Sequence, residues 1–323
     1  RRFCAPSKLV KASKPIKDAE DRIRYIVDLV DDELGKPARF ANASEKITWK
    51  QAKSQLLIQD VTKLLDIKLL GSTSLVGTSF IAYLTEKQVE QFSKDSRVGL
   101  ITEDSYLQSS ALWNNAPEPN GQTTPQVWPW GMSALLTNGA SSNGGATVYV
   151  LDTGVEMHAD LPGLAATDRL TAFATDSSGT PINPTGCYSH ATHVAGIIGA
   201  ANDNKGTVGV LPGVRLVSVA LGDSNSTTAQ PCPLGSTTTT GSYNAAVSGY
   251  TQGLDKVYQR VLSGNQVGIV NFSFNSFPGT NQFGATTSLG AKMRMVATPT
   301  FEDGAGYKGA LLIQSAGNRF ENA

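Results

Sequence analysis

Residues 147–154 read Thr-Val-Tyr-Val-Leu-Asp-Thr-Gly, an apolar run that ends in a carboxylate and a glycine turn. So short and apolar a run is the signature of a strand buried on both faces. Similar runs recur at Leu216–Leu221, Val267–Phe274 and Ala310–Ser315. Between them lie a small-residue helix at His193–Ala200 and a helix over Tyr243–Leu262, with Ala246, Val247, Tyr250, Leu254, Val257 and Val261 on one face. Buried strands alternating with helices specify an α/β domain built on a parallel sheet. Reactive groups in such sheets gather at the carboxyl ends of the strands. Asp152 follows the first strand, His190 lies just before the small-residue helix, and Asn318 follows the last strand. Alone, Asp152 reads equally well as a strand-end cap, Asn318 as a turn residue and His190 as a surface histidine. Together they are parts of an acyl-transfer site: a carboxylate to orient an imidazole, an imidazole to accept a proton, and an amide to stabilise an oxyanion.

The residues before this domain have a different character. Residues 1–106 carry 18 Lys/Arg and 15 Asp/Glu, and residues 107–323 carry the remaining 9 and 12. Arg24–Val30 (RYIVDLV), Ser79–Leu84 and Val98–Thr102 read as strands. Trp49–Leu65 has one apolar helical face, and Glu86–Asp95 is a helix with Thr85 as N-cap and Gln88 completing a capping box. The order β-α-β-α-β predicts a small α+β sandwich over 22–106, preceded by a poorly ordered lead-in at 1–21. A linker rich in Pro, Asn and Gly covers 107–128, and the α/β domain occupies 129–323.

Composition narrows the function classes. The whole chain has 27 basic and 27 acidic residues, so it has no basic excess with which to bind nucleic acid. Hydrophobic residues make up 40 % of it, enough for a sizeable core, and no apolar run is long enough to span a bilayer. No GxGxxG follows the strand at 147–151, which argues against a dinucleotide site. With three cysteines the chain is no disulfide scaffold. Cys187 and Cys232 either pair in an oxidising compartment or remain free thiols.

At the level of motifs the chain resembles the subtilisin-like serine proteases, the subtilases. Val150–Leu161 (VLDTGVEMHADL) resembles the family's aspartate motif, 190–196 (HATHVAG) its histidine motif, 271–274 (NFSF) the wall of its primary specificity pocket, and 315–318 (SAGN) its oxyanion motif, all in the family's order. The resemblance implies that Asp152 orients the imidazole, His190 is the general base and Asn318 the oxyanion donor, roles that follow the worked serine-protease template. It makes His193 a packing residue and assigns Ser273, Phe274, Asn275, Ala316 and Gly317 to substrate binding. RYIVDLV and residues 79–104 resemble the ends of the family's inhibitory propeptide. That implies a self-chaperoning segment packed on the catalytic domain, with a tail from Ser105 to Leu112 entering the cleft, and a mature domain that begins near PWGMSAL at 129–135.

The family's serine belongs to a GTSMA-like segment after the oxyanion asparagine, and no such segment follows Asn318. Two readings stand. In one, the chain is a secreted endopeptidase precursor whose serine is supplied outside these residues. In the other, it is an inert subtilase-like binding or inhibitory module. Retention of Asp152, His190 and Asn318 favours the first. Ala191 stands in place of the family's glycine, which predicts a narrowed cleft or tilted imidazole, and Asn275 replaces another glycine at the pocket mouth. Ala201–Val210 (ANDNKGTVGV) resembles a calcium loop, and the likeness implies a structural Ca²⁺ held by Asp160 and Asp203 side chains and by Lys205 and Thr207 carbonyls. A polar turn that needs no ion is the plainer account of the same letters. The stretch from Gly222 to Gly241 reads as a surface insertion.

Overall fold

The computed structural model describes residues 8–35, 39–109, 126, 145–174, 190–221, 244–276, 283–284, 286–300 and 305–315. The chain divides into two compact units. One joins Arg1–Leu107 to Ala246–Asn265 and Ser276–Gly309, and the other joins Gln108–Ala245 to Gln266–Asn275 and Ala310–Ala323.

Along the first hundred residues lie β1 (Leu9–Val10), β2 (Ile23–Leu29), α1 (Ala43–Thr62), β3 (Leu69–Thr73), β4 (Ser79–Leu84), α2 (Glu86–Lys94), β5 (Val98–Glu103) and β6 (Tyr106–Ser109). β1 to β5 form a sheet in the order β1-β5-β2-β4-β3, antiparallel except where β1 joins β5. The predicted strands and α2 appear where expected, including the reciprocal Thr85–Gln88 capping box. α1 starts earlier than its apolar spacing indicates. Asn42 caps it by accepting from the Glu45 N–H at 3.0 Å, and its first turn is largely exposed and so leaves no hydrophobic trace. The lead-in also differs from expectation. Leu9–Val10 pairs in parallel with Ile101–Thr102, and buried Ile16 is tied by its backbone to Asp104 and Arg24. Leu9 and Val10 on the sheet edge, Ile16 in the interior and the Ala12 N–H on Glu103 together tie residues 8–17 to the sheet. Residues 1–7 lie outside the described set.

β2 shows how this unit is held. Tyr25, Val27 and Leu29 enter a core with Ile58, Val61, Phe80, Phe92 and Ile101, under α1 and α2. Arg24 and Asp28 alternate with them, and alternation alone would give those two to solvent. Instead that face meets two further helices of the unit, α4 (Val247–Gly264) and α5 (Ser288–Ala297), and its charges are partnered. Arg24 Nε donates to Asp104 at 2.7 Å, with both side chains almost fully buried. Lys292 of α5 pairs with Asp28. α4 has no side-chain cap of its own, and Asp104 Oδ1 accepts from its Ser248 N–H at 3.1 Å. Asp255 of α4 accepts from the N–H groups of Ser74, Leu75 and Val76 at 2.7–3.1 Å.

The second unit carries β7 (Thr147–Asp152), β8 (Leu164–Thr171), α3 (His190–Gly199), β9 (Arg215–Ala220), β11 (Gly268–Phe272) and β13 (Ala310–Gln314). The short strands β10 (Asn244–Ala246) and β12 (Phe274–Ser276) fall at the joins between the units. The five long strands are all parallel, in the order β13-β11-β7-β9-β8. β7 is therefore interior, and all six of its residues are buried. α3 packs on it through Ala191 and Ala195, against Val148, Val150, Val214 and Leu216. The sequence gives no warning of β8, whose Asp168 and Arg169 interrupt the apolar run. Asp168 is buried against Arg215, which explains its tolerance there. The run at 267–274 is not one strand but two, broken at Ser273.

Removing Asp104 would strand the Arg24 guanidinium in the interior and uncap α4. Asp104→Ala should therefore lose about 3–5 kcal/mol in urea unfolding, the cost of orphaning one member of a buried pair. Lys94→Ala, at an exposed pair with Glu90, should leave the midpoint unchanged.

Candidate active site

The central strand delivers Asp152 as its last residue, at no solvent exposure. The chain must then turn away, and Gly154 does so at φ 101°, a conformation that favours glycine. The turn is fastened to α3 in both directions. Thr153 Oγ1 accepts from the Ala191 N–H at 3.2 Å, and Thr192 Oγ1 accepts from the Glu156 N–H at 3.0 Å. On the sheet side, Ser218 Oγ accepts from the Val155 N–H at 2.9 Å. These bonds fix the strand end against the helix start.

His190 is the first residue of α3, not a loop residue ahead of it. Its Nδ1 lies 2.8 and 3.0 Å from the two Asp152 oxygens. A carboxylate can only accept, so the proton sits on Nδ1 and Nε2 keeps the lone pair of the neutral ring. Burial alone pulls the His190 pKa down, but the hydrogen bond and negative charge of Asp152 outweigh it and leave the pKa above the usual histidine value. The Asp152 carboxylate also accepts from the Thr153 N–H at 2.6 Å, which keeps it aimed. The pair has the geometry of a base and its orienting group.

The other expected residues are placed as follows. Ser273 is half-buried and donates to Asn271 Oδ1 at 3.1 Å. Phe274 is fully buried, its ring edge-on to the His190 imidazole at 5.9 Å between centroids. Asn275 lies in β12, with its side chain outside the described residues, as are Ala316, Gly317 and Asn318, the three cysteines, most of the 107–144 stretch and the 222–241 insertion. The Ala191 methyl is buried in the core beneath α3. His193, expected to pack, is exposed. The letters Gly77-Thr78-Ser79 occur in the first unit, but Ser79 is a fully buried residue of β4 whose hydroxyl is shared with Thr73 at 2.7 Å.

Asp160, between β7 and β8, and Asp203, in the loop after α3, are close enough to interact. Burial first, then the Asp203 charge, push the Asp160 carboxyl above its ordinary range. Asp203 Oδ1 accepts from the Lys205 N–H at 3.1 Å, and the Thr207 N–H bonds to Asp160. Gln126, which the sequence reading passed over, donates from Nε2 to the Ala201 carbonyl at 3.0 Å, which brings its side chain to the same loop. Gly209 permits the return: a methyl there would stand 2.5 Å from the Ala200 nitrogen. Among the described residues no cluster of three or more His, Cys, Asp or Glu forms a metal site. The neighbouring Asp160 and Asp203 carboxylates are of the hard-oxygen type that a cation such as calcium takes.

The model of the subtilase family matches residues 143–323. The chain belongs to the subtilase family, the subtilisin-like serine proteases. Over 148 residues it is 33 % identical to the thermostable alkaline protease of Halalkalibacterium halodurans, a match covering 45 % of this chain and 35 % of that protein. Over 202 residues it is 32 % identical to alkaline elastase YaB of Bacillus sp. strain YaB, covering 61 % and 41 %. Among solved structures, fervidolysin from Fervidobacterium pennivorans, a keratinolytic enzyme related to subtilisin, aligns with a TM-score of 0.53 at 16 % identity, over 97 % of this chain and 43 % of that one. That likeness establishes the subtilisin-like fold. The matched part spans about two fifths or less of these curated relatives.

Because the folded pKa of His190 is raised, the Asp152–His190 pair stabilises the fold fully below the unfolded value of 6.5. The contribution is lost as pH rises through the folded pKa. Asp152→Asn leaves burial unopposed, so an NMR titration should show the His190 pKa moving from above the usual histidine value to below it.

Proposed function

We propose that this chain is the proregion and the Asp/His part of a secreted serine endopeptidase, with the nucleophilic serine supplied outside these 323 residues. The observation that carries the reading is the buried Nδ1–carboxylate contact between His190 and Asp152, in a chain of the subtilase family. In this reading His190 Nε2 takes the proton of the serine hydroxyl as its oxygen attacks a peptide carbonyl. Asp152 stabilises the imidazolium, and the ring returns the proton to the leaving amine as the acyl-enzyme forms. Water then repeats the sequence and releases the acid. Asn318 donates to the oxyanion, while Ser273, Phe274, Asn275, Ala316 and Gly317 line the substrate site.

Residues 22–106 act as the inhibitory propeptide. Support comes from their self-contained sheet and from the partnered charges Asp28–Lys292 and Asp104–Ser248, with the Asp255 carboxylate on Ser74–Val76, inside one compact unit. Peptides and proteins are the substrates. Secretion follows from the same reading, and no helix among the described residues is long and apolar enough to cross a membrane.

A fluorophosphonate should label the complete protein at a serine, and His190→Ala should slow that labelling by at least about 1,000-fold. A complete, folded protein that does not label would instead be the inert binding module. Calcium is proposed at Asp160, Asp203, Lys205, Thr207 and Gln126, where it would neutralise the two carboxylates and pin the loop. Chelation should lower the thermal midpoint, and Asp203→Asn should remove most of that dependence. An unchanged midpoint would exclude the site.

A further inference from the structure

Among the described residues, the hydrogen bond to Asp152 holds the His190 ring at one atom, Nδ1. A ring held at one atom can still swing about its side-chain torsions, and each swing takes Nε2 away from any reacting oxygen. Something must brace the ring from the side. The Phe274 ring lies 5.9 Å from the imidazole, centroid to centroid, with the planes at 75°. That is the edge-to-face arrangement aromatic rings prefer. Phe274 has no solvent exposure, and the His190 side chain has 8 %.

Phe274 is itself well anchored. It follows the break at Ser273, where the Ser315 N–H donates to the Phe272 carbonyl at 2.9 Å. Its own carbonyl accepts from Gln314 Nε2 at 3.3 Å. Both partners lie on or beside β13, so the ring is presented from the rigid edge of the sheet rather than from a free loop. A buried ring beside a buried imidazole would also help to keep water from the Asp152–His190 bond, and a drier bond is electrostatically stronger.

We propose that Phe274 is a positioning residue for His190: it braces the imidazole against Asp152 and shields their shared proton from water. The inference rests on the reading of His190 as the general base, and it gives Phe274 a task beyond the lining of a substrate pocket.

The chain has three histidines, so ¹⁵N-histidine labelling of the full 323-residue chain gives a readable spectrum. The reporter is the far-downfield Nδ1–H signal of His190, assigned by its loss in Asp152→Asn. In Phe274→Ala the solvent exchange of this proton should accelerate by about 10-fold or more, while the backbone amides of β7 keep their protection. Phe274→Leu, which retains bulk without the flat ring and guards against misfolding of the alanine variant, should give a smaller acceleration. In the complete protease Phe274→Ala should lower kcat itself by about 10- to 100-fold, over and above any change in KM from the altered pocket wall, the pattern of a misplaced catalytic group. Unchanged Nδ1–H exchange in either folded variant, or a change confined to KM, would overturn the proposal. Loss of fluorophosphonate labelling in the unsubstituted complete protein would sink the protease reading instead, and the exchange result would stand apart from it.

Discussion

A buried carboxylate at the end of a central strand must be satisfied, and here a histidine satisfies it. Asp152 has no access to water, so its charge depends on the His190 Nδ1–H and the Thr153 N–H. An unpaired charge in that position would be costly. The demand constrains its surroundings: β7 must be interior, the chain must turn at Gly154, and α3 must start where its first side chain meets the strand end. The bonds between Thr153 and Ala191 and between Thr192 and Glu156 meet that last condition. The site is thus a consequence of how strand and helix are joined, and the proton-accepting face of His190 follows from which nitrogen the carboxylate claims.

The first unit solves a related problem by other means. Its sheet buries both faces, yet its sequence places charges on one of them. Arg24, Asp28 and Asp104 become tolerable because α4 and α5 bring Lys292 and an uncapped helix terminus to meet them. Asp255 does the reverse, carrying a carboxylate from α4 to three backbone donors of residues 74–76. Such contacts favour one docking geometry over others, since a slide of one residue would leave buried charges without partners.

Local patterns proved legible in the sequence where one face decided the matter. β4, α2 with its capping box, β7 and the carboxyl-end placement of Asp152 follow from alternation, capping letters and apolar runs. Position 190 could be singled out because it stands at the mouth of a small-residue helix. Features whose cause lies elsewhere in the chain were not legible. β8 is masked by Asp168 and Arg169, which Arg215 and Val155 help to make acceptable. α1 hides its exposed first turn, and β1 depends on a sheet edge that no local window contains. Ala191 shows the same limit: at a glycine position its methyl reads as an obstruction, and only the packing of α3 shows that it joins the core. Gln126 lay in a stretch without periodicity, and only its bond to Ala201 reveals it.

The central claim is that Asp152 makes His190 a base through Nε2. It is tested most directly by the tautomer of His190 in the neutral ring, read from ¹H–¹⁵N couplings at a pH above its pKa. The account predicts the proton on Nδ1 and an unprotonated Nε2. A neutral ring protonated at Nε2 would contradict it, because that nitrogen could then accept nothing and the carboxylate at 152 would have no orienting part to play.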